Sequence, residues 1–347
     1  MGVLYATITF KRVERVSPMN VKTRLIRLLD ENRGKYISGA KLANELNVSR
    51  NAVWKAMKSL QENGYVISAV PNKGYRLDST GDLLSAEGIR SYLKNPDNFL
   101  VDVRKSVTST NTVLRELAEK NLPEGYVLVA GTQTAGKGRQ GRAFFSPSGH
   151  GVYFSILLRP KLMNEEVALI TPAAAVATAR TIEQTLGIGV GIKWVNDLFN
   201  HERKVCGILT EASVNMEDGS VDSVILGIGI NITEPESGYP KAIEGIAGAL
   251  LGTSGATDNI RCKIIAATLE NFWGFYKNLS KLEFLDEYRT RSTVIGRDIF
   301  VISHGENKAA HAVAIDENCR LVVRYENGET ESLNAGEISV RTSGSAQ

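Results

Sequence analysis

Cysteine is scarce in this chain: Cys206, Cys262 and Cys319 are the only three in 347 residues, and they lie far apart. No C-x-x-C pair occurs, so neither a zinc ribbon nor a disulfide framework is indicated, and a reducing cytoplasm fits. Long hydrophobic runs are missing as well. None reaches the roughly 20 residues that span a bilayer, so no membrane segment is expected. The mildly apolar stretch 3–10 has its charges after it, the reverse of a secretory signal. No H-E-x-x-H and no Ser/His/Asp set can be assembled around the four histidines, and no residues present themselves as a dedicated metal site. The net charge of only +3 says little as a whole, but its distribution is uneven. Residues 20–78 hold eleven Lys/Arg against five Asp/Glu, a net of +6, which leaves −3 for the rest. A small basic domain on a mildly acidic body points to a nucleic-acid module attached to something else.

What is present starts with a cleaner helix start at Met19, so residues 1–18 read as a disordered tail or a start-codon artefact. Val21, Leu25, Leu28 and Leu29 have helical spacing over 21–31. Ser38 caps a second helix through Leu46, Asn47-Val48 turns, and Ser49 caps a third whose inner face is Val53, Ala56, Met57 and Leu60. Strand-like segments 65–70 and 75–77 follow, joined by Pro71-Asn72-Lys73-Gly74. The order is that of a winged helix-turn-helix. On the outer face of the third helix, Arg50 and Asn51 suit guanine and adenine edges in a major groove, and Lys55 and Lys58 suit phosphates. Lys73 and Arg76 on the wing are placed for the DNA backbone or minor groove. Trp54 reads as a packing residue at the domain edge rather than a base contact.

After a linker near 78–82 the pattern becomes α+β. A helix capped at Ser109 is expected through Asn121, strands at 126–130, 152–158, 189–194, 205–211 and 221–232, and helices at about 165–186 and 259–279. Pro172 falls in the first turns of the former or marks a break in it. The last fifty residues form short alternating segments, 298–303, 309–315, 320–325 and 329–332, the spacing of a small β-barrel. The expected fold class is therefore an α+β multidomain chain, with a winged helix at 19–80, a central mixed-sheet α/β domain at 81–290 and a small barrel at 291–342.

Chemistry concentrates in the run Gly131-Thr-Gln-Thr-Ala-Gly136-Lys-Gly138-Arg-Gln-Gly141-Arg142. It fits G-x-x-x-x-G-K up to Lys137, then places Gly138 where a magnesium-binding hydroxyl belongs. It fits G-x-G-x-x-G at Gly136, Gly138 and Gly141, yet Phe144-Phe145-Ser146-Pro147 follows where that motif needs a helix. What remains is a flexible glycine-built loop carrying Lys137, Arg139 and Arg142, able to wrap an anion with backbone N–H groups and guanidinium forks. Four further clusters ask for the same explanation: Ser109-Thr110-Asn111, Lys193-Trp-Val-Asn196-Asp197, Arg203-Lys204-Val-Cys-Gly207-Ile-Leu and Gly227-Ile-Gly229-Ile-Asn231. In the last, glycines in a strand admit a ligand close to the backbone. His150 is the histidine nearest the loop, and a structural role is the preferred reading for it.

These five clusters, in this order and behind a winged helix, resemble the biotin protein ligases that double as biotin-operon repressors. The resemblance covers nearly the whole chain after Met19. It implies an SH3-like C-terminal barrel and a two-step reaction. Biotin and ATP give biotinyl-5′-adenylate and pyrophosphate, and a lysine of a biotin carboxyl carrier protein then takes the biotinyl group. It implies Arg139, Lys204 and Lys193 as the catalytic cations, since a carboxylate attacking a phosphate brings two anions together. Ser109, Thr110, Asn111, Gln133, Lys137, Gly138, Arg139, Lys204 and Gly207 match the biotin contacts. Arg139, Arg142, Asn196, Asp197 and Asn231 match positions near the adenylate, and Asn196 and Asp197 suit the nucleotide, the magnesium or the incoming lysine equally. Trp194 supports the pocket or is structural. Magnesium is expected to arrive with ATP. The chain departs from the family at Lys137, Val195 and Phe144, where Arg, Pro and Trp are usual, which bears on ligand affinity. Adenylate closing the loop is expected to expose a homodimer surface and set two reading helices on operator DNA. The rival readings are a ligase whose DNA-binding domain represses nothing, a non-catalytic sensor and a lipoate ligase.

Overall fold

The computed structural model describes residues 20–78, 82–160, 164–214, 220–253, 258–303, 306–334 and 337–340. The tail reading for 1–18, the start at Met19, most of the linker and the turn at His304-Gly305 lie outside the described residues.

The winged helix is built by local rules. Helices α1 (Val21–Glu31), α2 (Gly39–Leu46) and α3 (Arg50–Glu62) begin at Asn20, Ser38 and Ser49, whose side chains accept from the backbone N–H three residues on. Asn47 ends α2 in the left-handed region at φ 54°, a conformation asparagine tolerates, and so makes the turn. Strands β1 (Ile67–Val70) and β2 (Gly74–Leu77) form the wing, with Val70 opposite Gly74. Leu25, Leu29, Leu42, Leu46, Val53, Met57 and Leu60 close a core separate from that of the rest of the molecule. The domain is nevertheless tied down. Arg27 donates to the carbonyls of Ser91 (2.7 Å) and Leu93 (2.9 Å) at the end of α4 (Ala86–Tyr92), where helix carbonyls lack partners. Tyr92 donates to Asp30 at 2.5 Å and Tyr65 shares a hydrogen bond with Ser85 at 2.6 Å.

The central domain is a seven-stranded mixed sheet. Its strands are β3 (Leu100–Arg104), β4 (Tyr126–Ala130), β5 (Gly151–Leu158), β6 (Gly191–Lys193), β7 (Asp197–Asn200), β8 (Arg203–Val214) and β9 (Val221–Asn231). They run in the order β3-β4-β5-β9-β8-β7-β6, and among them only β3 and β4 pair in parallel. Alternation along the strands gives the sheet two different faces. Phe154, Ile156, Leu158, Val224, Leu226, Ile228 and Ile230 pack into the main core with α7 (Ile170–Leu186) and α8 (Ile260–Lys277). The other face carries Leu128, Leu157 and Ile225 under α5 (Thr110–Ala118), and then turns to the buried hydroxyl of Ser155, the bare Gly227 and Gly229, and the half-buried Asn231. The long helix expected at 165–186 is two, a short α6 (Asn164–Val167) and α7, with Leu169 between them. Pro172 sits in the first turn of α7, where its missing N–H costs no helix bond. The helix after Ser109 stops at Ala118 rather than Asn121.

Past α9 (Leu285–Thr290), strands β10 (Asp298–Ser303), β11 (Glu306–Ile315), β12 (Leu321–Tyr325), β13 (Thr330–Leu333) and β14 (Glu337–Val340) make a five-stranded antiparallel sheet in the order β13-β12-β11-β10-β14. Leu321, Val323 and Ile315 join the main core, so this sheet packs as an extension of the central domain. Among the described residues no helix is long and apolar enough to cross a membrane.

Candidate functional site

Every cleft residue named from the sequence comes together on the open face of the central sheet. A cavity of about 420 Å³ is lined by Ser109, Thr110, Asn111, Gln133, Lys137, Gly138, Arg139, Arg142, Lys193, Asn196, Asp197, Lys204, Gly207 and Asn231. That volume lies in the range of small-molecule sites.

The floor is made by what β9 lacks. Gly227 and Gly229 point to the cleft, one residue out of phase with the buried isoleucines. A β-carbon on Gly229 would lie 2.4 Å from the Phe144 ring, and one on Gly227 would lie 2.1 Å from Asn111 Oδ1. The bare strand therefore lets the Phe144 ring come close to the sheet and lets Asn111 reach across it.

At one end the start of α5 sets a polar pocket. Gln133 Oε1 accepts from the Thr110 N–H (2.8 Å) and hydroxyl (3.1 Å), while its amide donates to Ser146 at 2.8 Å. Ser155, in the middle of β5, donates to Thr110 Oγ1 (2.7 Å) or to Asn111 Oδ1 (2.6 Å). Asn111 in turn donates to Glu211 at 2.7 Å, a carboxylate also held by Arg115. Glu211 escaped the sequence reading because only the pairing of β8 with β9 carries it to this place.

At the other end stand the cations. Lys204 Nζ is 2.7 Å from Asp197 Oδ1. Asn196 donates to the same Asp197 oxygen (3.0 Å) and to the Ile208 carbonyl (2.9 Å), and its own Oδ1 accepts from Arg139 at 3.1 Å. A continuous chain, Arg139–Asn196–Asp197–Lys204, thus holds two cations on one rim of the cavity. The β7–β8 hairpin supplies Asp197 and Lys204, with Asn196 directly before β7 and Asp197 opposite Gly207 in register. Lys193 lines the cleft with its ammonium 5.7 Å from the Phe199 ring.

The loop 131–142, expected to be flexible, is a narrow ribbon in this structure. Gly138 N–H donates to Arg142 O (2.7 Å), Phe144 N–H to Gly136 O (2.8 Å) and Ala135 N–H to Thr108 O (2.8 Å). Gln140 and Gly141, at φ 54° and 75°, make its tip.

Several walls were not foreseen. Tyr239, Ile243, Ile246 and Ala247 cover the side near Phe145, and Ile302 reaches in from the C-terminal sheet. They come from a stretch with no clear period and from a separate domain, so no local pattern marks them. Burial and the nearby Glu234 push the Tyr239 hydroxyl up to about 12, and among the described residues its oxygen has no hydrogen-bond partner. Trp194 both lines the cleft and donates to the Cys319 carbonyl at 3.0 Å, tying the C-terminal sheet to the site. His150 bonds Thr233 at 3.0 Å and is not part of the lining.

On the winged helix, Arg50, Asn51, Lys55, Lys58 and Lys73 are exposed. Arg76 lies 2.6 Å from Asp78 with its guanidinium 4.8 Å from the Tyr36 ring. One expectation is corrected there. Trp54 is 52% exposed and is not a packing residue, because it lies on the outer flank of α3, between the turns that carry Arg50 and Lys58.

Comparison with known proteins agrees with this geometry. Residues 103–231 match the Biotin/lipoate A/B protein ligase family, 21–76 an HTH domain, and 294–341 the Biotin protein ligase C terminal domain. The bifunctional ligase/repressor BirA of Bacillus subtilis is 40% identical over 233 residues, covering 67% of this chain and 71% of that one. The bifunctional ligase/repressor BirA of Escherichia coli is 30% identical over 342 residues, covering 93% and 98%. Among solved structures, the biotin protein ligase from Aquifex aeolicus in complex with biotin and ATP superposes with a TM-score of 0.57 at 26% identity, covering 70% of this chain and 99% of that one. Fold and cleft together define a protein ligase that carries a DNA-binding module. The chain belongs to the family of bifunctional biotin ligase/repressors.

Proposed function

We propose that this chain activates biotin with ATP in the cleft, transfers it to a lysine of a biotin carboxyl carrier protein, and represses biotin genes at operator DNA when loaded. The observation that carries this is the convergence of Arg139, Lys204, Lys193, Lys137 and Arg142 on one cavity that also holds the Thr110–Gln133 polar pocket. The biotin carboxylate attacks the α-phosphorus of ATP, a C–O–P bond forms, and the bond to the pyrophosphate oxygen breaks. Two anions must meet for this, so fixed cations aimed at the shared oxygens lower the barrier most. Lys204 stands at the join of carboxylate and phosphate and Arg139 on the phosphate, each held by the Asn196–Asp197 pair. Ser109, Thr110, Asn111, Gln133 and the backbone near Gly207 hold the fused rings of biotin. Arg142 and Asn231 face the adenylate, and Phe144 over Gly229 offers its flat surface to the adenine. In the second step the carrier's amine attacks the acyl carbon and AMP leaves.

Magnesium enters with the ATP phosphates. Asp197 is the one carboxylate among the cavity's lining residues, and it already serves Lys204. The adenylate-bound protein forms a homodimer in the cytoplasm, and the domain limits fall near 80 and 290. Biotin-dependent ATP–pyrophosphate exchange, run in parallel with lipoate, tests the reading. Exchange with biotin is expected, and exchange with neither acid ends the enzyme assignment. Sedimentation with saturating biotin and ATP tests the dimer, which a persistent monomer would exclude.

A further inference from the structure

The chain has three tryptophans, at 54, 194 and 273. Trp194 is 4% exposed and Trp273 packs against the main core. Trp54 alone stands out, 52% exposed, in the middle of α3. A large apolar ring in water is costly unless something covers it in use. Its neighbours on that face identify the occupant. Asn51, Trp54, Lys55 and Lys58 are exposed at positions i, i+3, i+4 and i+7 on the side of α3 away from the buried Val53, Ala56, Met57 and Leu60, and Arg50 is exposed at the first position of the helix, one turn before Trp54. Arg50 one turn before the indole and Lys58 one turn after it flank the ring, and the Lys58 ammonium lies 5.7 Å from its centre. A surface of this kind complements a polyanion, and the helix that bears it is the reading helix of the winged domain.

One helical turn separates Trp54 from Arg50, about 6 Å along the axis, close to two base-pair steps. Most of what a major groove offers a side chain is polar, and the exception is the C5-methyl group of thymine. Arg50 and Asn51 match the polar edges. Trp54 matches the methyl.

We propose that Trp54 is a specificity-determining residue that reads thymine through its C5-methyl in the major groove. The proposal rests on the DNA-binding reading of the winged helix. Its test uses full-length protein saturated with biotin and ATP. Binding duplexes are selected from a pool with a randomised core, and poly(dG-dC) serves as the unspecific duplex. W54A is expected to lose about tenfold or more on the selected duplex and to stay within about twofold of wild type on poly(dG-dC). Replacing each thymine in turn by uracil should reveal a position that weakens the wild type several-fold and leaves W54A unaffected. W54F, which keeps an apolar ring, should retain that sensitivity. The unfolding midpoint of W54A should stay with the wild type, since half the ring is already in water. Equal losses on both duplexes would make Trp54 a backbone contact and overturn the proposal. So would unchanged binding by W54A, or uracil effects that are the same in W54A and wild type. A wild type that binds no duplex at all would overturn the DNA-binding reading itself, a different result from binding that ignores Trp54.

Discussion

On α3, Arg50, Lys55 and Lys58 stand in water and face away from the molecule. In the cleft, Arg139 and Lys204 are turned inward and linked to each other through Asn196 and Asp197. The residue types are the same and the physics is not. An exposed cation on a reading helix gains affinity by displacing counterions from DNA, so its position need not be exact and its worth falls with salt. A cleft cation must already be in place when charge develops, because reorganising it during reaction would cost what it contributes. The carboxylate and amide that hold it are as necessary as the charge.

Loss of a cleft cation should therefore have the largest effect. Lys204→Met is expected to lower the rate of biotin-dependent pyrophosphate exchange about 10³-fold. A loss under about tenfold would mean that Lys204 supports structure rather than reaction. Next comes the cleft floor. Gly229→Ala places a β-carbon 2.4 Å from the Phe144 ring and must displace it. Retention of the adenylate, followed by rapid gel filtration, should fall about tenfold, the scale of overpacking a fitted site. Biotin affinity should change less. The reading helix should respond differently. Lys55→Ala and Lys58→Ala should each weaken binding a few-fold on every duplex and each reduce the salt slope by about one. A sequence-selective loss would show that these lysines read bases, which would erase the contrast.

A carboxylate belonging to neither region gives the baseline. Burial pushes the Glu124 carboxyl up, but bonds from Lys277, the Tyr276 hydroxyl and the Arg159 N–H outweigh it and hold the group below its ordinary range. A carboxylate whose folded pKa is depressed contributes stability above its unfolded pKa, and loses it as pH falls through the folded one. The stability gap between wild type and Glu124→Gln should be about 1 kcal/mol or less at neutral pH. It should close in acid below the ordinary carboxylate range, measured by urea unfolding against pH. A gap that widened in acid would reverse the assignment.

Much of this was legible beforehand where the governing rule is local. Ser38 and Ser49 announce helix starts through their own hydroxyls, and Asn47 announces a turn through its tolerance of positive φ. The glycines of β9 announce a bare strand. Boundaries slipped where tertiary contacts decide them, as at 118, at the break before α7 and at the late strand β14. Trp54 was misplaced for a related reason. Helical or strand period says which residues share a face, and not what that face meets.

The amino-acid order by itself determined the element types, the charge asymmetry, the exposed set on α3 and the five clusters that gather at the cleft. These depend on spacings of two to four residues, which any chain reads off its own backbone. Only the tertiary structure decided that Lys204 meets Asp197, that Asn196 bridges Asp197 to Arg139, that Glu211 restrains Asn111 across the sheet, and that Tyr239 and Ile302 wall the cavity. The Asn196–Arg139 and Asn111–Glu211 contacts join residues 57 and 100 positions apart, and even Lys204 and Asp197 meet only because β7 pairs with β8. They depend on which strands lie side by side, a choice made by burying one whole face of the sheet at once.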